Sequence, residues 1–124
     1  MVDDEEMILK VGVSLLDRLG YSTLKAHNGW EAIEIFSKQN NDIDLVILDL
    51  IMPEIGGGDV YEKLKDIDPK VKVLLSSGYS IDGQANEILE RGCNGFIQKP
   101  FSIKELSEKI NEILVAESAS MSRH

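Results

Sequence analysis

Three carboxylates, a hydroxyl and an ammonium stand where short apolar runs end. Asp3 and Asp4 follow Met1-Val2, and Asp49 closes the run Leu45-Val46-Ile47-Leu48. Ser76 and Ser77 close "VKVLL", and Lys99 follows "GFIQ". A carboxylate at the end of a buried run needs a partner, a metal or an exposed position, because an unpaired buried charge is costly. Clustered carboxylates raise one another's pKa unless a cation joins them. An all-oxygen ligand set selects a hard ion such as Mg²⁺, which keeps several waters and binds through one or two carboxylates. A carboxylate is also a nucleophile toward phosphorus, forming an aspartyl phosphate. Phosphoryl transfer then needs positioning and positive charge around the equatorial oxygens. In that chemistry Asp49 attacks, Ser77 donates a hydrogen bond, and Lys99 and Mg²⁺ supply the charge. Each residue also has a plainer reading: Asp49 as a turn cap, Asp3 and Asp4 as solvated terminal charge, Ser77 as a turn residue before Gly78, Lys99 as a surface lysine. The combination is what favours the chemistry.

The elements that must hold these groups alternate between short apolar runs and helical patterns, the signature of a parallel α/β sheet. Helical spacing over Glu6–Leu19 turns Ile8, Val11, Leu15, Leu16 and Leu19 inward, and Gly20 stops it. A strand is expected over Tyr21–Ala26, then a helix over Gly29–Gln39 capped by Asn28. The strand Asp44–Leu48 leads into the loop Gly56-Gly57-Gly58 and a helix over Asp59–Ile67, which Pro69 bars from continuing. Val71–Ser76 reads as a strand, Asp82–Arg91 as a helix with a thin apolar face, and Gly95–Gln98 as a strand. Ser102 and Glu105 form a capping box for the last helix. A domain over residues 1–116 and a frayed tail over 117–124 follow. In a doubly wound sheet ligands bind at the carboxyl ends of the strands, which is where the candidate residues fall.

The chain has 124 residues, enough for one domain with a real core. Its net charge of −9 argues against direct nucleic-acid binding, which needs basic phosphate contacts, and against docking on anionic membranes. Cys93 is the only cysteine, so no intrachain disulfide is available, which suits a reducing cytoplasm. No apolar stretch reaches membrane-spanning length. His27 and His124 have no ligand partner at metal spacing. Trp30 and Cys93 read as packing residues, and Met7, Met52, Tyr61 and Phe101 as core or near-core. The glycine triplet lacks the GxxxxGK[ST] pattern of a phosphate-binding loop.

Four motifs, "VDDEE", "VILDLIMPEIGG", "LLSSGY" and "FIQKPF", stand in an order and spacing that resembles the receiver domain of two-component response regulators, such as one excised from a hybrid histidine kinase. The resemblance covers nearly the whole chain. It implies a flavodoxin-like doubly wound sheet of strand order 2-1-3-4-5. It implies that Asp49 accepts a phosphoryl group from a histidine kinase or its phosphodonor domain. By position it gives Asp3, Asp4, Asp49 and the backbone carbonyl of Ile51 as Mg²⁺ ligands, Ser77 and Phe96 as switch residues, and a cis peptide at Lys99-Pro100. Phosphorylation would draw Ser77 and the loop Gly78–Asp82 inward, let Phe96 turn, and remodel the face of the fourth helix, fifth strand and fifth helix, where such domains dimerise or bind partners. The expected activity is self-catalysed phosphotransfer rather than enzymatic turnover, in the cytoplasm.

Two departures qualify the resemblance. Only Met1 and Val2 precede the acidic cluster, so the first strand is truncated. The stub pairs weakly, the sheet rearranges, or a second chain fills the slot, and a homodimer or a strained sheet is expected. Such truncation could leave a receiver-fold interaction module with its phosphotransfer site disabled. Ile51 is apolar where many relatives are polar and, with Tyr79, would restrict attacking water, so autodephosphorylation is expected to be slow. A phosphohydrolase of the haloacid-dehalogenase type would carry a second Asp at position 51 and a cap domain. A flavin binder would carry a Ser/Thr/Gly-rich phosphate loop after its first strand.

Overall fold

The computed structural model describes residues 1–78 and 83–122, with side chains through Val115. The expectations for Tyr79, for the rest of the loop to Asp82, and for His124 lie outside the described residues. Among the described residues five α-helices flank a parallel sheet: α1 (Glu6–Arg18), α2 (Gly29–Gln39), α3 (Gly57–Ile67), α4 (Gly83–Glu90) and α5 (Ile103–Ser122). Three strands, β1 (Val46–Asp49), β2 (Val73–Ser77) and β3 (Gly95–Gln98), lie in the order β1-β2-β3. Val46 pairs with Val73 and Asp49 with Ser76, while Leu75 pairs with Phe96 and Ser77 with Gln98. This register brings Asp49, Ser76 and Ser77 to one edge of the sheet.

The first strand is present as a single rung. Val2 bridges Ala26 on one side and Leu48 on the other, both parallel. Its N–H donates to Ile47 O at 2.8 Å, and Asp49 N–H donates back to Val2 O at 3.0 Å. Asp3 N–H reaches Ala26 O at 3.1 Å. The short N-terminal segment therefore lies between Ala26 and β1, as the order 2-1-3-4-5 requires. The expected strand over Tyr21–Ala26 does not form: only Ala26 finds a ladder partner, and Tyr21 and Leu24 are exposed. A strand is made by its neighbours, and most of this segment has none beside it.

Buried parallel strands read as continuous apolar runs because both faces are covered. Val46 and Leu48 of β1 and Val73 and Leu75 of β2 join Phe36, Val60, Tyr61 and Leu64 on the α2–α3 side. Ile47 and Leu74 point the other way, to Leu16, Leu106, Ile110 and Ile113 of α1 and α5. Local chemistry sets the boundaries. Asn28 accepts from Glu31 N–H at 2.9 Å and caps α2. Ser102 Oγ accepts from Glu105 N–H at 3.1 Å, with Glu105 reaching back to Ser102. Gly92, at φ +110°, ends the turn after α4 in a conformation that favours glycine. The backbone of α5 continues through Ser122, beyond the boundary expected at 116. Met7 and Val11 are corrections: both face solvent, Met7 at 72% exposure, because Leu9, Gly12 and Leu16 form the inner face of α1. Trp30 is half-exposed beneath Lys63, whose Nζ lies 5.8 Å from the ring centroid. No helix among the described residues is long and apolar enough to cross a membrane.

Candidate phosphoryl-acceptor site

The carboxyl edge of the sheet gathers the charged residues. Asp3 is 1% exposed and Asp49 3% exposed, an unusual depth for carboxylates unless they are paired. Lys99 supplies the pairing. Its Nζ lies 2.9 Å from Asp3 Oδ2 and 3.4 Å from Asp49 Oδ1. Asp3 also accepts from Glu5 N–H at 2.9 Å through Oδ1, an Asx turn that starts the chain into α1. One carboxylate thus anchors a helix entrance and holds the lysine that serves Asp49. Asp4 is exposed at the rim.

Carboxylate oxygens of Asp3, Asp4 and Asp49 lie within 4.8 Å of one another. One ammonium among three carboxylates leaves an excess of negative charge, and Asp49 feels it. Burial, then the charge of Asp3, push Asp49 up to about 7, against the pull of Lys99 and of the Ile51 N–H. Burial pushes Lys99 down, but its hydrogen bond to Asp3 and the charges of Asp49 and Asp3 outweigh that and leave it raised and protonated. A hard divalent cation would relieve this repulsion, and the all-oxygen donors suit Mg²⁺. The donor set fits such an ion at Asp3, Asp4 and Asp49.

Backbone geometry fixes Asp49. Leu50 N–H donates to Ser76 O at 2.8 Å, and Gly57 N–H donates to Leu50 O at 2.9 Å, folding the loop back over β1. A Cβ on Gly57 would stand 2.7 Å from Asp49 O and 2.8 Å from Leu50 Cα, so only glycine allows this approach. Within the loop Glu54 adopts a left-handed conformation at φ 67°. Ile51 N–H lies 3.4 Å from Asp49 Oδ1, and the Ile51 side chain is 51% exposed at the mouth. Ser77 is buried at the end of β2, and its carbonyl accepts from Lys99 N–H at 2.7 Å, which ties the serine to the lysine through the backbone. Phe96 is half-buried against the α2–α3 core. The Lys99-Pro100 peptide is cis, as the resemblance implied.

Sequence reasoning therefore found the residues at this edge: Asp3, Asp4, Asp49, Ser77 and Lys99. It did not find that Lys99 lies closer to Asp3 than to Asp49, because that contact joins residues 96 positions apart. It placed Ser76 at the strand end without giving it a role; its Oγ is buried opposite Asp49 without a hydrogen-bond partner among the described residues. The sequence signal was present, since Ser76 shares the strand end with Ser77.

The chain matches the family model of the response regulator receiver domain over residues 1–111. It is 30% identical over 116 residues to the polar-differentiation response regulator DivK of Brucella anthropi, covering 92% of this chain and 93% of that protein. It is 34% identical over 114 residues to the sensor kinase CckA of Brucella abortus, but spans only 12% of that kinase's length. A response regulator receiver domain protein from Clostridium thermocellum superposes with a TM-score of 0.89 at 30% identity, covering 95% of this chain and 94% of that one. With Asp49, its acidic neighbours and Lys99 gathered at the carboxyl edge of a flavodoxin-like sheet, this chain belongs to the response regulator receiver domain family of two-component signalling.

Proposed function

We propose that Asp49 accepts a phosphoryl group from a histidine kinase or its phosphodonor domain, and that the modified domain presents a changed surface to a partner. An Asp49 carboxylate oxygen forms the new P–O bond as the P–N bond to the donor imidazole breaks, and the bond's electron pair stays on the imidazole nitrogen. The ammonium of Lys99 offsets charge on the equatorial oxygens, and the Ser77 hydroxyl donates to one of them. Mg²⁺, held by Asp3, Asp4, Asp49 and the Ile51 carbonyl, supplies further positive charge when bound. The observation that carries this reading is the buried Asp3–Lys99–Asp49 cluster. A lysine held beside an acidic acceptor of ordinary reach suits charge neutralisation more than fold stability, since buried ion pairs are weak stabilisers.

Ser77 and Phe96 are the switch in this reading. A phosphoryl group adds nearly two negative charges and three acceptor oxygens. Drawn toward them, Ser77 would free space for Phe96 and alter the α4–β3–α5 face, toward a partner protein or a second copy in the cytoplasm. Turnover of other substrates is not part of this function. The alternative, an interaction module with a disabled site, is disfavoured by Asp3, which is fixed through both its backbone and its side chain.

Acetyl phosphate with Mg²⁺ tests the proposal through the intact mass. The expected result is a gain of one phosphoryl group in the wild-type chain and none in Asp49→Asn. An unmodified wild-type chain would support the interaction-module reading instead.

A further inference from the structure

Ser76 stands beside Asp49 and takes no part in the chemistry assigned to Asp49, Ser77 and Lys99. It is 2% exposed, and its Oγ has no hydrogen-bond partner among the described residues. A buried hydroxyl without a partner costs stability that a methyl group in its place would not. A native structure that keeps such a group calls for a reason.

The register of the sheet places the hydroxyl. Ser76 pairs with Asp49 of β1 on one side and with Ile97 of β3 on the other. Registered neighbours send their side chains to the same face of a sheet, as do residues two apart along a strand. Ile47, Leu74 and Ile97 all pack into the core formed with α1 and α5. Asp49, Ser76 and Lys99 follow them by two residues and so share that face. Lys99 comes after β3, yet its ammonium meets Asp3 at the N-terminal rung and Asp49 on β1. Strand β2 lies between. The lysine side chain therefore crosses the end of β2 on the face to which Ser76 belongs.

An ammonium carries three N–H donors. Lys99 has acceptors in Asp3 Oδ2 at 2.9 Å and Asp49 Oδ1 at 3.4 Å, and its side chain is only 10% exposed. An Asp49 oxygen that turns to phosphorus ceases to accept from Lys99. The buried lysine then loses an acceptor, and the pull of Asp3 draws it away from Asp49. Ser76 Oγ is an unused acceptor on the Lys99 path, beside Asp49.

We propose that Ser76 is a positioning residue for phosphoryl capture: its hydroxyl accepts an N–H from Lys99 as Asp49 turns to the phosphoryl group, and keeps the ammonium at the reacting oxygen. The inference rests on Asp49 being the phosphoryl acceptor. No bond to Ser76 forms or breaks, and its proton stays on the hydroxyl. The unpartnered hydroxyl of the resting structure is the cost of a contact made during the reaction.

The test is the initial rate of phosphorylation by acetyl phosphate with Mg²⁺, read by intact mass beside the melting temperature. Ser76→Ala should react about three- to tenfold more slowly, the worth of one hydrogen bond, while melting at or above the wild-type temperature. Ser76→Thr keeps a hydroxyl and should recover most of the rate. Ser76→Val has the same shape without the hydroxyl and should not. In a Lys99→Ala background, Ser76→Ala should add no further slowing, because the hydroxyl acts through the lysine. A wild-type rate in Ser76→Ala, equal rates in Ser76→Thr and Ser76→Val, or full slowing on top of Lys99→Ala would each overturn the proposal. Slow reaction of Ser76→Ala together with a lower melting temperature would overturn it in favour of a packing role. Each of these outcomes, with the wild type phosphorylated normally, removes only the role of Ser76. A wild-type chain that gains no phosphoryl group removes the proposed function and this role with it.

Discussion

The two ends of the sheet are built on opposite terms. At the carboxyl end, polar groups are buried and paired: Asp3, Asp49 and Lys99 sit within hydrogen-bond reach, under a loop whose Gly57 lies against the Asp49 carbonyl. At the other end, apolar side chains from both cores border a cavity of about 340 Å³ beside Met1 and Val2. Burial of charge at the first end costs stability and is suited to chemistry. The second end is held by apolar contacts and backbone hydrogen bonds, with no buried charged side chain among the described residues. Val2 joins them, because the residue that bounds the cavity also aligns Asp3 with Asp49.

The largest expected effect comes from removing the cation. Lys99→Ala leaves Asp3 and Asp49 buried without their ammonium, and should lower stability by about 3 kcal/mol near pH 8 without divalent ions. Phosphorylation by acetyl phosphate should fall by about a hundredfold or more. Urea unfolding and intact-mass time courses check both. Packing sharpens the contrast next. Leu75, fully buried between β1 and β3, should cost about 3–4 kcal/mol as Leu75→Ala, whereas Leu45→Ala, half-buried at the cavity, should cost about 1 kcal/mol. Equal costs would mean that the cavity is closed in solution.

The pH dependence separates the ends further. Asp49 titrates at about 7 in the fold against an ordinary 3.8. The folded state therefore holds this proton more tightly than the unfolded chain. Stability falls as pH rises from about 4 through 7 and is level in this respect above that. Asp49→Asn should remove this slope and stabilise the fold by about 2–4 kcal/mol at pH 8 without divalent ions. Mg²⁺ should raise the melting temperature of the wild type and leave Asp49→Asn nearly unchanged. A smaller effect is expected at the mouth. Ile51→Asn replaces the apolar side chain beside Asp49 with one that can orient water, and should shorten the phosphoryl half-life several-fold with stability within about 0.5 kcal/mol.

Much of this architecture was legible from local chemistry. Asn28, the Ser102–Glu105 box and the apolar periods gave α2, β3 and the start of α5 with the bounds observed. Apolar runs ending in Asp49, Ser77 and Lys99 gave the carboxyl edge. What escaped was set by neighbours distant in sequence. Tyr21–Ala26 has the composition of a strand, but a ladder partner only at Ala26. Val11 has helical spacing, but Leu9, Gly12 and Leu16 face the core instead. The preference of Lys99 for Asp3 and the depth of Asp49 depend on how β1, β3 and the N-terminal rung close together, which no local pattern encodes.

The central claim is that Asp49 at this edge captures phosphorus with the help of its neighbours. Locating the phosphoryl group by peptide mass after acetyl phosphate treatment, with Mg²⁺ and with chelator, tests it most directly. The account predicts modification of the peptide bearing Asp49, strong with Mg²⁺ and lost with chelator. Modification elsewhere, or none with Mg²⁺ present, would contradict it.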